Sequence, residues 1–141
     1  MYAQTLPRMR PSLIGIQVED LDKSLEWYKY YLEFTVLDRK EFKDHGLSIA
    51  MLELGDFKLE LVDNDKALNR NTVLKQQSAK EITGFAKVTF TIDNVGLIYE
   101  KLKNKDASFA IPLRDSNINP KEHFFIVLDC DNNWLQFIGP K

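Results

Sequence analysis

The sequence predicts an α+β fold made of two copies of one β-α-β-β-β unit. Residues 14–34 (IGIQVEDLDKSLEWYKYYLEF) and 88–109 (VTFTIDNVGLIYEKLKNKDASF) follow one plan. Each has a short apolar strand, an acidic turn, a helix with one apolar stripe and an aromatic residue where the chain re-enters the sheet. The strands alternate with period two and the helices repeat near 3.6, as half-buried elements must. A length of 141 residues suits one domain, or two half-domains sharing a core, and needs no staples. Two copies that bury their sheets together should leave a site in the cleft between them.

The first unit covers residues 12–63. Its opening strand, Leu13 to Val18, puts Ile14, Ile16 and Val18 on one face and Leu13, Gly15 and Gln17 on the other. Asp20 suits an N-cap, and the helix after it aligns Leu21, Leu25, Tyr28 and Leu32, with Trp27 and Tyr31 flanking. Phe34 to Glu41 is a second strand, Asp44-His45-Gly46 a turn, and Leu47 to Leu54 a third strand. After Gly55-Asp56, a fourth strand sets Phe57, Leu59 and Leu61 against Lys58, Glu60 and Val62.

Residues 64–83 are polar and helix-compatible and read as a partly helical connection. The second unit covers residues 84–139. Lys87 to Ile92 is a strand with Val88, Phe90 and Ile92 inward. Asp93-Asn94 caps a helix with the stripe Val95, Ile98, Tyr99 and Leu102. Phe109 to Leu113, His123 to Leu128 and Trp134 to Ile138 are strands. A loop at 115–121 and a tight turn at 129–133 join them, and Asn132 can take positive φ.

Apolar residues make up 44% and charged residues 28%, as in ordinary globular chains. A net charge of −2 offers no basic field for nucleic acid or an anionic membrane. One cysteine, Cys130, excludes a disulfide framework and a thiolate cluster. Residues 1–12 lack the apolar stretch of a secretion signal, and no run approaches membrane-spanning length. A cytoplasmic location is expected by default.

Three segments carry a family resemblance. Residues 18–34 (VEDLDKSLEWYKYYLEF) resemble V-x-D-L-x-x-S-x-x-F-Y-x-x-x-L-G-F, LEL at 59–61 resembles the end of a fourth strand, and DCDNNWLQF at 129–137 resembles D-P-D-G-N-x-x-E-L. These patterns are similar to those of the vicinal oxygen chelate superfamily of glyoxalases, bleomycin-binding proteins and extradiol dioxygenases. The resemblance implies two βαβββ modules forming a cupped, barrel-like sheet around a cleft, often within a homodimer. In metal-dependent members, four donors on the concave face hold a divalent ion. Carried over residue by residue, those positions fall on Leu13, Glu60, Lys87 and Gln136. Leucine has no donor atom, lysine is a cation at neutral pH and glutamine is a weak oxygen ligand. Only Glu60 is a standard ligand, so no metal cofactor is expected.

Glu60 and Lys87 are expected to pair directly, the ammonium standing near the cation's place, with Gln136 beside them. Trp134 is either a cleft wall or core filler. His45 reads as an exposed turn residue. His123 reads as a strand residue, since no motif places a carboxylate to orient it. Cys130 reads as inert. The surplus of Trp27, Tyr28, Tyr30, Tyr31 and Phe34 is partly core and could mark a dimer surface. The leading expectation is a metal-free small-molecule-binding protein with a cleft lined by Gln17, Glu60, Lys87, Thr89, Trp134 and Gln136. The alternatives are a lyase, isomerase or dioxygenase-like enzyme using Glu60 as ligand or base, and a structural or regulatory dimer with no small ligand.

Overall fold

The computed structural model describes residues 10–141; the amino-terminal segment considered as a signal lies largely outside them. The chain runs β1 (Leu13–Val18), α1 (Leu21–Leu32), β2 (Thr35–Phe42), β3 (Leu47–Leu54), β4 (Phe57–Asn64), α2 (Arg70–Gln76), β5 (Lys87–Thr91), α3 (Val95–Asn104), β6 (Phe109–Asp115), β7 (Glu122–Leu128) and β8 (Trp134–Pro140). A 3₁₀ turn at Lys43–His45 joins β2 to β3.

Each module makes one four-stranded sheet, in the orders β1-β4-β3-β2 and β5-β8-β7-β6. The first and fourth strands of each module run parallel and the other pairs antiparallel. The expected pair of βαβββ modules is formed, as two separate sheets with no closed barrel and no backbone ladder between β1 and β5. Side chains join them instead. Phe34, Phe57, Phe90, Phe137 and Phe125 form a file of ring contacts at 6.3, 5.4, 5.2 and 5.0 Å that passes from one module to the other. Such pairs add about 0.5–1.5 kcal/mol each beyond their buried area. One apolar core holds Tyr28, Leu52, Leu59 and Leu61 of the first module with Leu102, Phe125 and Leu135 of the second.

Local chemistry explains the ends of the helices. Asp20 caps α1 by accepting from the Lys23 amide at 3.0 Å, Asn69 caps α2 through the Thr72 amide at 3.1 Å, and Asn94 caps α3 through the Leu97 amide at 3.0 Å. Leu21, Leu25, Tyr28 and Leu32 of α1 are all buried. Pro112 sits within the register shift between Ile111 and Arg114 on the edge strand β6, where its missing N–H costs no ladder bond. Gly139 is required by space: a Cβ there would fall 1.7 Å from the Ile92 carbonyl oxygen. All eight residues of β2 are exposed, and Asp38, Arg39, Lys40 and Glu41 supply four charges in a row along this edge.

Candidate functional site

Strand register decides which side chains share the concave faces. Lys87 lies opposite Trp134 and Thr89 opposite Gln136, so these four project from one face of the β5–β8 pair. Gly15 lies opposite Glu60, and Glu60 opposite Met51, on the corresponding face of the first module. Val88 and Phe90 turn the other way, toward the core.

The Lys87 ammonium donates to Oε1 of Gln136 at 2.5 Å, and the Gln136 side chain lies in a largely buried residue. This corrects the expected Glu60–Lys87 pair: no such ion pair is formed among the described residues. The reason is connectivity. Gln136 stands on the strand bonded to β5, one step diagonal from Lys87, whereas Glu60 belongs to the other sheet. Leu13, 43% exposed at the start of β1, offers no polar atom. No group of three or more His, Cys, Asp or Glu able to hold a metal ion occurs among the described residues.

The six expected ligand-binding residues divide. Gln17, Lys87 and Trp134 line one cavity of about 180 Å³ between β1 and the start of β5, together with Gly15, Arg70 and Phe85. Trp134 is 40% exposed and walls this cavity rather than filling the core. Glu60 lines a different hollow of about 190 Å³ over β2, β3 and β4, with Asp38, Lys40, Phe42 and Met51. Thr89 and Gln136 line neither.

A third cavity, about 340 Å³, escaped the sequence reading. It lies where the end of β1, the end of β4 and the β7–β8 turn meet, and Glu19, Asp63, Asp65 and Asp131 line it with Gln17, Arg70 and Asn133. Two of these acids are engaged by backbone. Asp63 accepts from the Leu21 amide and Asp131 from the Glu19 amide, both at 3.1 Å. Burial pushes the Asp131 carboxyl above its ordinary range; the Glu19 amide opposes this, and the charges of Asp129, Glu19 and Asp20 add to it. The acidic turn after β1 was the available signal, but nothing local tells that residues 63 and 131 converge on it.

The remaining candidates are placed as follows. His45 is exposed in the 3₁₀ turn. His123 Nδ1 lies 3.1 Å from Asp115 Oδ1, a carboxylate supplied by cross-strand register rather than by any motif. Cys130 Sγ lies 3.4 Å from Ser24 Oγ, and desolvation raises its thiol pKa, which disfavours the thiolate.

The sequence profile of the Glyoxalase/Bleomycin resistance protein/Dioxygenase superfamily matches residues 10–137. The chain belongs to this superfamily. A lactoylglutathione lyase of Schizosaccharomyces pombe is 26% identical over 88% of this chain, which spans only 45% of that protein's length. A lactoylglutathione lyase of Pseudomonas putida is 22% identical, covering 89% of this chain and 82% of the other. In fold, a glyoxalase family protein from Enterococcus faecalis superposes with a TM-score of 0.78 over 92% of this chain and 96% of its own, at 19% identity. The superfamily's paired βαβββ arrangement is thus present here as two four-stranded sheets without a closed barrel.

Proposed function

We propose that this chain is a metal-free small-molecule-binding protein of the glyoxalase/bleomycin-resistance type, which sequesters or senses its ligand in the concave cleft. One observation carries the reading. The two positions where the second module would present metal donors hold a lysine ammonium bonded to an amide oxygen. That oxygen is spent on Lys87, and a fixed positive charge repels a divalent ion. With Leu13 at the first position, Glu60 stands alone among the four, and one carboxylate does not hold an ion against water. The donor set does not fit a metal, and no step through one is invoked.

A thermal-shift screen of small organic ligands tests the reading, run with and without Mn²⁺, Ni²⁺ or Zn²⁺. Ligands should raise the melting temperature by mass action to the same extent in both series. Elemental analysis finding one stoichiometric transition metal at Glu60 would overturn it.

The lyase names of two relatives favour a second reading, a metal-free lyase or isomerase with Glu60 as base. It requires turnover that Glu60→Gln abolishes while ligand binding persists. Either reading allows a homodimer through the exposed aromatic side of α1, where Trp27, Tyr30 and Tyr31 border an open hollow beside Cys130. Sedimentation of the wild type against Tyr30→Glu checks it.

A further inference from the structure

We infer that the cavity beside Lys87 is selective for a small aromatic monocarboxylate; this names the ligand class of the proposed site and rests on the small-molecule-binding reading. Charge comes first. Two cationic side chains, Lys87 and Arg70, line the cavity, and none of its lining residues is acidic. Neither cation forms an ion pair with a described residue. The Gln136 oxygen occupies one ammonium proton and leaves the charge intact, so two donors of Lys87 remain for an incoming anion. Gln136 also fixes the ammonium in place, which reduces the ordering cost of binding.

Shape sets the rest of the ligand. Trp134 is 40% exposed and Phe85 89% exposed, and both border this cavity. Large aromatic surfaces turned to solvent beside a cation suit a flat ring that carries an anionic group. On the β1 side a Cβ at Gly15 would meet Glu60 Oε1 at 3.5 Å, so a carboxylate borders that side and the ligand's ring, with its anionic group at Lys87, must face it. The volume of about 180 Å³ lies below the ~300 Å³ at which drug-sized sites begin, so a single substituted ring is the limit.

The neighbouring acidic cavity sets the number of charges. Gln17, Arg70 and Asn133 line both cavities, and Glu19, Asp63, Asp65 and Asp131 stand on the far side. A second carboxylate extending that way would meet like charge. One anionic group, held at Lys87, is therefore favoured over two.

Isothermal titration of the full chain with benzoate, cyclohexanecarboxylate, benzamide, benzylammonium and phthalate tests this. Benzoate should bind at least ~10-fold more tightly than benzamide, benzylammonium or phthalate. Lys87→Met should weaken benzoate at least ~10-fold and leave benzamide unchanged, while Lys87→Arg retains benzoate binding. Trp134→Leu should bring benzoate down to the level of cyclohexanecarboxylate. Melting curves of each variant separate lost binding from lost folding, and Lys87→Arg keeps the charge argument testable should Lys87→Met not fold. Equal binding of benzylammonium, or benzoate binding indifferent to Lys87, overturns the ligand class while leaving small-molecule binding intact. No binding by any of the five probes overturns the class as well. If the broad ligand screen is then also silent, the underlying reading falls with it.

Discussion

The hydroxyl of Tyr28 donates to Oδ2 of Asp129 at 2.8 Å, joining two buried residues 101 positions apart. Tyr28 belongs to the helix of the first module and Asp129 opens the β7–β8 turn of the second. The same carboxylate accepts from the Asp131 and Asn133 amides at 2.9 and 2.8 Å and from Asn133 Nδ2 at 2.9 Å. One side chain thus shapes a turn and docks a helix. Tyr28→Phe should cost about 1–2 kcal/mol, and Asp129→Ala about 3 kcal/mol or more, because it leaves several donors unpaired. Urea unfolding of both variants and the double variant should show coupling, since the two residues share one network. Additive effects would show that the bond does not join the modules.

Alkaline pH should reveal the same contact. Burial first, and then the charge and hydrogen bond of Asp129, hold the Tyr28 phenol well above its ordinary value. The folded state therefore favours the neutral phenol. That contribution is whole below the unfolded value near ~10 and is lost as pH rises through the higher folded one. In spectrophotometric titration, one tyrosine should ionise only as the chain unfolds. Tyr28→Phe should flatten the alkaline fall in stability.

Asp131 should behave in the opposite sense to a salt-bridged acid. Its pKa is raised, chiefly by burial, so ionising it near neutrality opposes folding. The strain is relieved as pH falls through the folded value toward the unfolded one near ~3.9. Asp131→Asn keeps an acceptor for the Glu19 amide and removes a charge beside Asp129, Glu19 and Asp20. It should raise stability at pH ~7 by a few tenths of a kcal/mol, the gain being small because the group is partly solvated. Melting curves across pH should show the gain shrinking toward pH ~4.

Two glycines should respond in opposite ways. Gly139→Ala drives a methyl into the Ile92 carbonyl, and backbone cannot move aside cheaply. A loss of about 3 kcal/mol or more is expected, read as a lowered urea midpoint. Gly15→Ala meets nothing closer than Glu60 Oε1 at 3.5 Å and should leave stability within about 0.5 kcal/mol. Because Gly15 lines the Lys87 cavity, its effect should appear in ligand affinity.

Supplying donors at the four positions should create a metal site. Leu13→His, Lys87→His and Gln136→Glu together would place three standard ligands with Glu60. The triple variant should bind Zn²⁺ or Ni²⁺ in the micromolar range or tighter, measured by titration against a competing chelator, while the wild type does not. Equal affinity in the wild type would refute the reading of the four positions.

Much of the fold was legible because periodicity reports a side chain's face. The stripe Leu21, Leu25, Tyr28 and Leu32 is buried, β3 begins and ends where the alternation does, and Asn132 takes φ 62. Strand ends slipped by one or two residues at β2, β4, β5, β6, β7 and β8, where alternation alone does not mark the last paired residue. The site was harder to read. Alternation places Glu60 and Lys87 on concave faces but says nothing of the distance between strands in different sheets. Hence the expected pair gave way to Lys87–Gln136. The acidic cavity and the His123–Asp115 contact both depend on register and loop convergence. Glu33 closes α1 at φ 60, where the resembled pattern carries glycine, so its left-handed cap was not evident from residue type.

The parallel pairing of the first and fourth strands bears on how the chain is assembled as it is made. Leu13 pairs with Lys58 and Lys87 with Trp134, so each module is sealed only by its last strand. The first sheet can close as soon as β4 emerges, before any of the second has been synthesised. In the second, β5 gains its parallel neighbour only after a helix and two further strands have been made. Both closures are thus non-local, the kind of contact that costs most loop entropy before it forms.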